Sequence, residues 1–138
     1  MTRFLDTNIL VRYMARDDER KAQASLALLQ RVERGEEVVV TSDLVIAEAV
    51  FVLQSSCRYN VPKRRIRELL EPIIALRGLR LPRKALYSRA FDLYCEQNMG
   101  FADAFNVAYM ESRGLTEVYS YDSDFDRVEG LKRVEPEL

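Results

Sequence analysis

Four acidic residues lie at positions that are suited to metal binding or catalysis. Asp6 and Asp122 each follow a short apolar stretch, and open α/β sheets place functional groups just outside the carboxyl ends of their strands. Glu48 and Asp103 lie inside apolar segments with helical spacing. Clustered carboxylates repel one another unless a cation neutralises them, and sites built only of oxygen ligands favour Mg²⁺ or Mn²⁺. We therefore expect these four acids to converge on one divalent-metal site.

The surroundings of Glu48 predict a buried carboxylate. The helix that carries it is apolar on nearly all sides, and its neighbours three and four residues away are Leu44, Val45, Phe51 and Val52. A buried carboxylate without a partner is costly and tends to take up a proton. We therefore expect a cation to reach Glu48 from elsewhere in the fold, either an Arg or Lys side chain or a metal ion.

Asp6 and Asp103 each allow a purely structural interpretation as well. Asp6 is suited to an Asx-turn or a helix N-cap, and an acid near a helix N-terminus, as at Asp103, interacts favourably with the helix dipole. Thr7 and Asn8 follow Asp6 directly. Their hydroxyl and amide groups could orient a water molecule or a phosphate.

The segment after Asp122 adds two more acids, Asp124 and Asp126. Their alternation is similar to the start of an EF-hand loop, but no glycine follows Asp126 directly and the twelfth position is Arg133 instead of glutamate. The EF-hand interpretation therefore fails. A solvated acidic turn is the simpler interpretation of Asp124 and Asp126.

The absence of histidine from all 138 residues excludes several classes of enzyme. It rules out Ser-His-Asp and Cys-His catalysis, histidine-ligated zinc and imidazole acid–base chemistry. Cys57 and Cys95 lack C-x-x-C spacing, which favours reduced thiols in a cytoplasmic protein. No apolar run is long enough to span a membrane, and the N-terminus lacks the pattern of a signal peptide.

Charge is distributed unevenly along the chain although the net charge is only −1. The balance is −2 for residues 1–57, +8 for residues 58–89 and −7 for residues 90–138. A basic middle third beside acidic segments suits a protein that holds a polyanion with one surface and a metal with another. Two solvated helix faces would give the same pattern.

Strand and helix patterns alternate along the chain. Strands are predicted at residues 2–5, 37–41, 79–81, 118–121 and 132–134, with Phe4 and Leu5 in a buried first strand. Helices are predicted from Asp17 or Asp18 to 34, and at 44–58, 62–75, 83–98 and 102–113. Without linkers or repeats, this order indicates a single α/β domain, residues 1–138, around a mainly parallel sheet.

Four motifs in register resemble those of PIN-domain nucleases. They are Phe4-Leu5-Asp6-Thr7-Asn8, Ile46-Ala47-Glu48, Phe101-Ala102-Asp103-Ala104 and Ser120-Tyr121-Asp122-Ser123-Asp124-Phe125. The length is similar to that of the VapC toxins of toxin–antitoxin pairs. The resemblance implies a Rossmann-like three-layer α/β/α sandwich and an acidic quartet of Asp6, Glu48, Asp103 and Asp122 that binds Mg²⁺ or Mn²⁺.

The resemblance also implies an activity and partners. The activity is metal-dependent endoribonuclease cleavage, in which a metal lowers the pKa of the attacking water. Thr7, Asn8, Ser120 and Asp124 would support the site, and Asp124 or Asp126 could replace Asp122 as the fourth acid. The implied partners are an RNA substrate, a cognate antitoxin and a second copy in a homodimer. Five basic residues are candidates for holding RNA or an acidic antitoxin segment: Arg58, Lys63, Arg64, Arg65 and Arg67.

The main alternative is a catalytically inactive PIN-fold module that only binds RNA or a protein. Such a module would be expected to lack one acid of the quartet, and none is missing. An aspartyl-phosphate phosphatase also begins with an Asp after its first strand, but it needs a second Asp where this chain has Asn8.

Overall fold

The structure, a computed structural model, describes all residues 1–138. The chain forms two compact units, an N-terminal unit of residues 1–84 and a C-terminal unit of residues 85–138. Each has its own parallel strand pairing. The α/β class and the parallel sheet predicted from the sequence are confirmed.

The N-terminal unit is built on a three-stranded parallel sheet in the order β1-β2-β3. The strands are β1 (Arg3–Phe4), β2 (Val39–Val40) and β3 (Leu79–Arg80). Arg3 pairs with Val39 and Val39 with Leu79, so β2 is central. Because parallel strands end at the same edge, Asp6 and the start of the helix after β2 lie at the carboxyl edge of this sheet.

Four helices complete this unit: α1 (Thr7–Ala15), α2 (Glu19–Glu33), α3 (Asp43–Gln54) and α4 (Lys63–Ile74). Two begin at side-chain caps. The Asp18 carboxylate accepts a hydrogen bond from the Lys21 backbone N–H, and the Ser42 hydroxyl accepts one from that of Val45. Each cap satisfies one of the free N–H groups of a first turn.

Helix α1 was not predicted from the sequence. The polar residues after Leu5 obscure its apolar positions, yet Leu10, Val11 and Met14 recur at helical spacing and are buried. A buried first strand was also predicted, and this is half wrong. Leu5 is 2% exposed but Phe4 is 58% exposed, because successive side chains of an extended chain point to opposite faces and only that of Leu5 meets the core.

The C-terminal unit pairs two helices with two strands. A 3₁₀ turn (Lys84–Leu86) leads into α5 (Tyr87–Glu96), followed by α6 (Phe101–Ser112), β4 (Glu117–Tyr119), a second 3₁₀ turn (Ser123–Arg127) and β5 (Lys132–Val134). Strands β4 and β5 are parallel, with Val118 opposite Arg133. The β5 strand has the bounds predicted from the sequence.

Aromatic packing joins α5 to α6. Ring centroids lie 5.1 to 6.5 Å apart in a cluster of five residues, Tyr87, Phe91, Tyr94, Phe101 and Phe105. Such pairs add about 0.5–1.5 kcal/mol each beyond simple burial. On the surface, Arg89 donates two hydrogen bonds to Glu111, at 2.8 and 3.0 Å. The two helices therefore hold each other in a fixed register.

None of the helices combines the length and the apolar character that crossing a membrane requires.

Gly78 provides a test of the N-terminal unit. A Cβ added there would lie 2.4 Å from the Glu37 carbonyl oxygen and 2.7 Å from that of Val32. Because backbone cannot yield as a flexible side chain does, we expect Gly78→Ala to destabilise the protein by at least about 2 kcal/mol. Urea denaturation followed by circular dichroism measures the change.

Gly100→Ala is the matched control, since no atom lies within 4 Å of its added Cβ. Gly100 is the N-cap of α6, so at most about 1 kcal/mol is expected from the poorer cap. Equal losses for the two variants would contradict the close approach at Gly78.

Candidate metal centre

Asp103 is placed by the first turn of α6. The helix begins after Gly100, and Asp103 is its third residue. Phe101 and Ala104 on either side are buried, at 6% and 0% exposure, and they fix this turn against the core. Asp103 itself is half-buried, so its carboxylate is held at the surface of a rigid helix.

Asp122 and Asp124 are placed by the turn that follows β4. The Asp122 backbone N–H donates to the Ser120 hydroxyl at 3.0 Å, and the Asp124 backbone N–H donates to the Asp122 carboxylate at 2.9 Å. Asp122 is thereby the N-cap of the 3₁₀ turn. The Ser120 hydroxyl, predicted to support the site, shapes the loop that carries the acids.

These two elements bring Asp103, Asp122 and Asp124 together. One carboxylate oxygen of each lies within 4.8 Å of the others. Partial burial raises the pKa of Asp103, and the negative charges of Asp122 and Asp124 raise it further. A hard divalent cation among these oxygens would remove the repulsion, and carboxylate oxygens are the ligands that Mg²⁺ and Mn²⁺ prefer.

Two arginines bind different acids of the turn that follows β4. Arg127 forms an ion pair with Asp124 and also donates to the backbone carbonyls of Gln97 and Asn98, at 3.2 and 3.3 Å. Arg133 donates to both carboxylate oxygens of Asp126, at 3.0 and 3.3 Å. Asp126 is therefore bound by an arginine and lies outside the three-acid cluster, whereas Asp124 belongs to it.

Asp6 lies in the N-terminal unit, where it ends β1 and occupies the N-cap position of α1. Its side chain makes no capping hydrogen bond, so the simple capping role does not account for an aspartate here. The next residue, Thr7, is 6% exposed, and its hydroxyl oxygen is buried without a hydrogen-bond partner. Buried polar groups are normally satisfied, so an unpaired hydroxyl beside Asp6 is consistent with a site that takes a further group. Asn8 is exposed.

The predicted burial of Glu48 is wrong. Helix α3 buries one face, and its opposite face exposes Leu44 at 81%, Phe51 at 76% and Glu48 between them. Because apolar residues lie on all sides of helix α3, the sequence suggested that Glu48 is buried. The sequence does not reveal which face of the helix packs against the rest of the N-terminal unit. Solvent can stabilise the charge of Glu48, so burial gives no argument for a metal there.

The five basic residues that were predicted to contact RNA or an antitoxin differ in their exposure and in their ion pairs. In α4, Arg65 is paired with Glu68 at 3.3 Å and Arg67 with Glu71 at 2.6 Å. The guanidinium of Arg58 lies 5.1 Å from the ring centroid of Tyr59. Arg64 is exposed and Lys63 is half-buried. Part of this basic stretch therefore forms the solvated helix face that was the simpler interpretation.

Comparison with known families identifies the fold to which these motifs belong. The model of the PIN domain family matches residues 3–131. The chain belongs to the PIN domain family. The match spans all four motifs and both units, so Asp6, Glu48, Asp103 and Asp122 all lie within the PIN domain. Comparison with curated protein sequences gives no match.

Two solved structures are similar to this chain. VapC20 of Mycobacterium tuberculosis, a toxin that cleaves the sarcin-ricin loop, is 20% identical, with a TM-score of 0.39 over 90% of this chain and 92% of that chain. VapBC2 of Rickettsia felis, solved with a DNA fragment of its promoter, is 15% identical, with a TM-score of 0.37 over 98% of each chain.

Two features of the site were not found from the sequence. Arg127 had no assigned role, although an arginine three residues after an acid is a recognisable ion-pair spacing within a helical turn. The side chains of Tyr109 and Tyr119 were also not assigned, although both border the cleft beside Asp103. Neither position carries a signal strong enough to be identified without the fold.

The repulsion in the acid cluster makes a testable prediction for the metal-free protein. The pKa of Asp103 is raised in the folded protein, so folding disfavours the ionised form of this residue. The cost appears as pH rises from the ordinary pKa to the raised one, and it is complete above both. In EDTA at neutral pH, we expect Asp103→Asn to raise the thermal midpoint by about 3 °C. The gain should vanish below about pH 3.5, where the carboxyl is protonated in the unfolded chain as well.

Asp126→Asn is the control, because it removes an acid that Arg133 neutralises. We expect this variant to have an unchanged or lower thermal midpoint. Stabilisation by both variants would mean that relief of general negative charge, and not the three-acid cluster, explains the effect.

Proposed function

We propose that this protein is a metal-dependent endoribonuclease that hydrolyses phosphodiester bonds in RNA. The observation that carries the proposal is the cluster of Asp103, Asp122 and Asp124 in a chain of the PIN domain family. The absence of histidine agrees with it, since the chain has no imidazole to serve as a general base. The proposal therefore relies on carboxylates and a divalent cation.

The residues present fit Mg²⁺ or Mn²⁺. Asp103, Asp122 and Asp124 offer three hard oxygen ligands and an excess of negative charge. When bound, the metal would supply Lewis-acid stabilisation of the phosphate and a lowered pKa for the attacking water. Asp103 holds its place through α6, and Asp122 and Asp124 hold theirs through the turn that Ser120 shapes.

We propose that Asp6 and Glu48 are also catalytic residues, as the PIN motifs imply. Thr7 and Asn8 would donate hydrogen bonds to a phosphate oxygen or to water from the N-terminus of α1. The support in the N-terminal unit is the uncapped carboxylate of Asp6 and the unpaired hydroxyl of Thr7. The proposed role of Glu48 is supported by its sequence motif alone.

Cleavage of a mixed RNA pool tests the activity. With Mg²⁺ or Mn²⁺ we expect the wild-type protein to cut RNA and EDTA to abolish the cutting. Asp103→Asn and Asp6→Asn should each lower the rate at least about 100-fold, since each removes a carboxylate that would bind the metal ion. Paramagnetic resonance of bound Mn²⁺ should show weaker binding by both variants.

Asp126→Asn is the matched control here, because Asp126 is held by Arg133 outside the cluster. It should retain most of the activity. Cutting that survives in Asp103→Asn would indicate a contaminating nuclease and would contradict the proposal. Tight Mn²⁺ binding without any cutting would favour the alternative of an inactive PIN-fold binding module.

We also propose that the protein is the toxin of a type II toxin–antitoxin pair and acts in the cytoplasm. The support is the resemblance of its four motifs to those of PIN-domain nucleases, together with a length similar to that of the VapC toxins. A cognate antitoxin would then be its protein partner. Arg58, Lys63, Arg64, Arg65 and Arg67 remain candidates for contacting RNA or that antitoxin, and Arg64 and Arg65 are exposed on helix α4.

We propose that the protein forms a homodimer through the exposed face of α3. Leu44 and Phe51 are 81% and 76% exposed on this face, and large exposed apolar side chains in one patch commonly mark an interface. Because both lie one turn from Glu48, a partner seated there would border that residue.

Light scattering coupled to size-exclusion chromatography tests this assembly. We expect the wild type to elute as a dimer and Phe51→Asp to shift it to monomer at micromolar concentration, because a charge placed in an apolar contact is strongly disfavoured. Leu115→Asp is a control, since Leu115 is 52% exposed outside α3. A wild-type monomer, or an unchanged dimer in Phe51→Asp, would contradict the proposed face.

A further inference from the structure

A cleft of about 410 Å³ opens beside the acid cluster within the C-terminal unit. Helix α6 forms one wall with Asp103, Asn106 and Tyr109. Tyr119 of β4 and Ser120, which follows the strand, form the other. Asp103 belongs to both the cleft and the cluster. A group bound in the cleft would therefore lie next to anything held by the three carboxylates.

The cleft has the volume and the mixed lining of a small-molecule site. Ligand pockets typically measure about 300–1,000 Å³ and combine apolar walls with a few polar groups. Met110, Val118 and Phe125 supply apolar surface here, while Asn106 and Ser120 supply polar atoms.

Two tyrosine rings border the cleft and are accessible. Tyr119 is 76% exposed and Tyr109 is 36% exposed. The guanidinium of Arg113 lies 5.9 Å from the ring centroid of Tyr109, so this ring already receives a planar cationic group. Aromatic side chains of this kind are stacking platforms for the bases of single-stranded nucleic acids.

Asn106 adds a polar group suited to the edge of a base. It follows Asp103 by one helical turn and is exposed. Its amide offers two N–H donors and a carbonyl acceptor, the combination with which Asn pairs with the edge of adenine. The aromatic rings would supply affinity for any base, and the amide would supply a preference among bases.

We propose that this cleft is a nucleobase subsite, which holds the base of a nucleotide adjacent to the phosphate at the acid cluster. The base stacks on Tyr119 and Tyr109, and Asn106 contacts its edge. The inference rests on the proposed nuclease function and extends it, since it identifies a part of the substrate besides the phosphate. Tyr121, 74% exposed in the loop after β4, does not border the cleft and takes no part.

An abasic scan of the RNA tests the subsite. The probe is the shortest fluorescein-labelled oligoribonucleotide that the wild-type protein cuts, together with versions that lack one base at each position in turn. Binding is measured by fluorescence anisotropy with Ca²⁺ in place of Mg²⁺. We expect Tyr119→Ser to weaken binding of the intact RNA about 5- to 100-fold and Tyr119→Phe to leave it within about 2-fold, because the ring carries the stacking.

The decisive result is the coupling between protein and RNA. At one position, loss of the base should weaken wild-type binding as much as Tyr119→Ser does, and the two changes together should cost no more than either alone. Tyr121→Ser is the matched control and should bind like the wild type. Asn106→Ala should reduce the preference among the four bases at that same position and leave the binding of abasic RNA unchanged.

Additive losses at every position would overturn the subsite, as would an equal loss in Tyr121→Ser. If wild-type cutting and its dependence on Asp103 persist in that case, only the subsite fails. If the wild type neither binds nor cuts any RNA, the proposed function fails and the subsite with it. A thermal melt of each variant separates a binding defect from unfolding.

Discussion

The C-terminal unit holds three carboxylates close together against their electrostatic repulsion, and its structure has to meet this constraint. The carboxylates are those of Asp103, Asp122 and Asp124. One oxygen of each lies within 4.8 Å of the others, and partial burial together with this repulsion raises the pKa of Asp103. Like charges at this separation would move apart if the backbone that carries them were free to relax. The acids stay together because a helix and a hydrogen-bonded turn hold them independently.

Helix α6 is held by aromatic packing and by one surface ion pair. Five aromatic rings pack between α5 and α6, and the Arg89–Glu111 ion pair joins the same two helices on the surface. The first turn of α6 therefore cannot shift to carry Asp103 away from the other acids. On the other side, the backbone N–H groups of Asp122 and Asp124 are bonded within their own turn, which fixes both carboxylates. The site is organised before any ligand arrives.

Much of the fold could be predicted from local chemistry. The starts of α2 and α3 could be predicted to within one residue, because an N-cap needs a short polar side chain; of the candidates Asp17 and Asp18, and Ser42 and Asp43, the caps are Asp18 and Ser42. Strand β2 was predicted from the β-branched run of residues 37–41, and Asp103 and Asp122 were selected for their positions next to predicted elements. These are features that a few consecutive residues determine.

The predictions that were wrong concern features that depend on contacts between distant residues. Glu48 and Phe4 were predicted to be buried because their neighbours are apolar, but burial depends on which face meets the rest of the unit, and both are exposed. Likewise, spacing alone could not separate Asp124 from Asp126. Each is bound by an arginine, Asp124 by Arg127 and Asp126 by Arg133, but only Asp124 lies within 4.8 Å of Asp103 and Asp122.

Arg127 shows how a neighbouring cation can support a metal centre without replacing the metal. A guanidinium is always charged and presents its donors in a fixed planar fork. In this protein the fork reaches Asp124 and the carbonyls of Gln97 and Asn98 at once. Because these carbonyls are part of the backbone that ends α5, Arg127 is anchored beside the cluster and neutralises only one of its three acids. The remaining negative charge of Asp103 and Asp122 is what a divalent cation would balance, so the arginine lowers the repulsion and leaves the attraction for a metal ion in place.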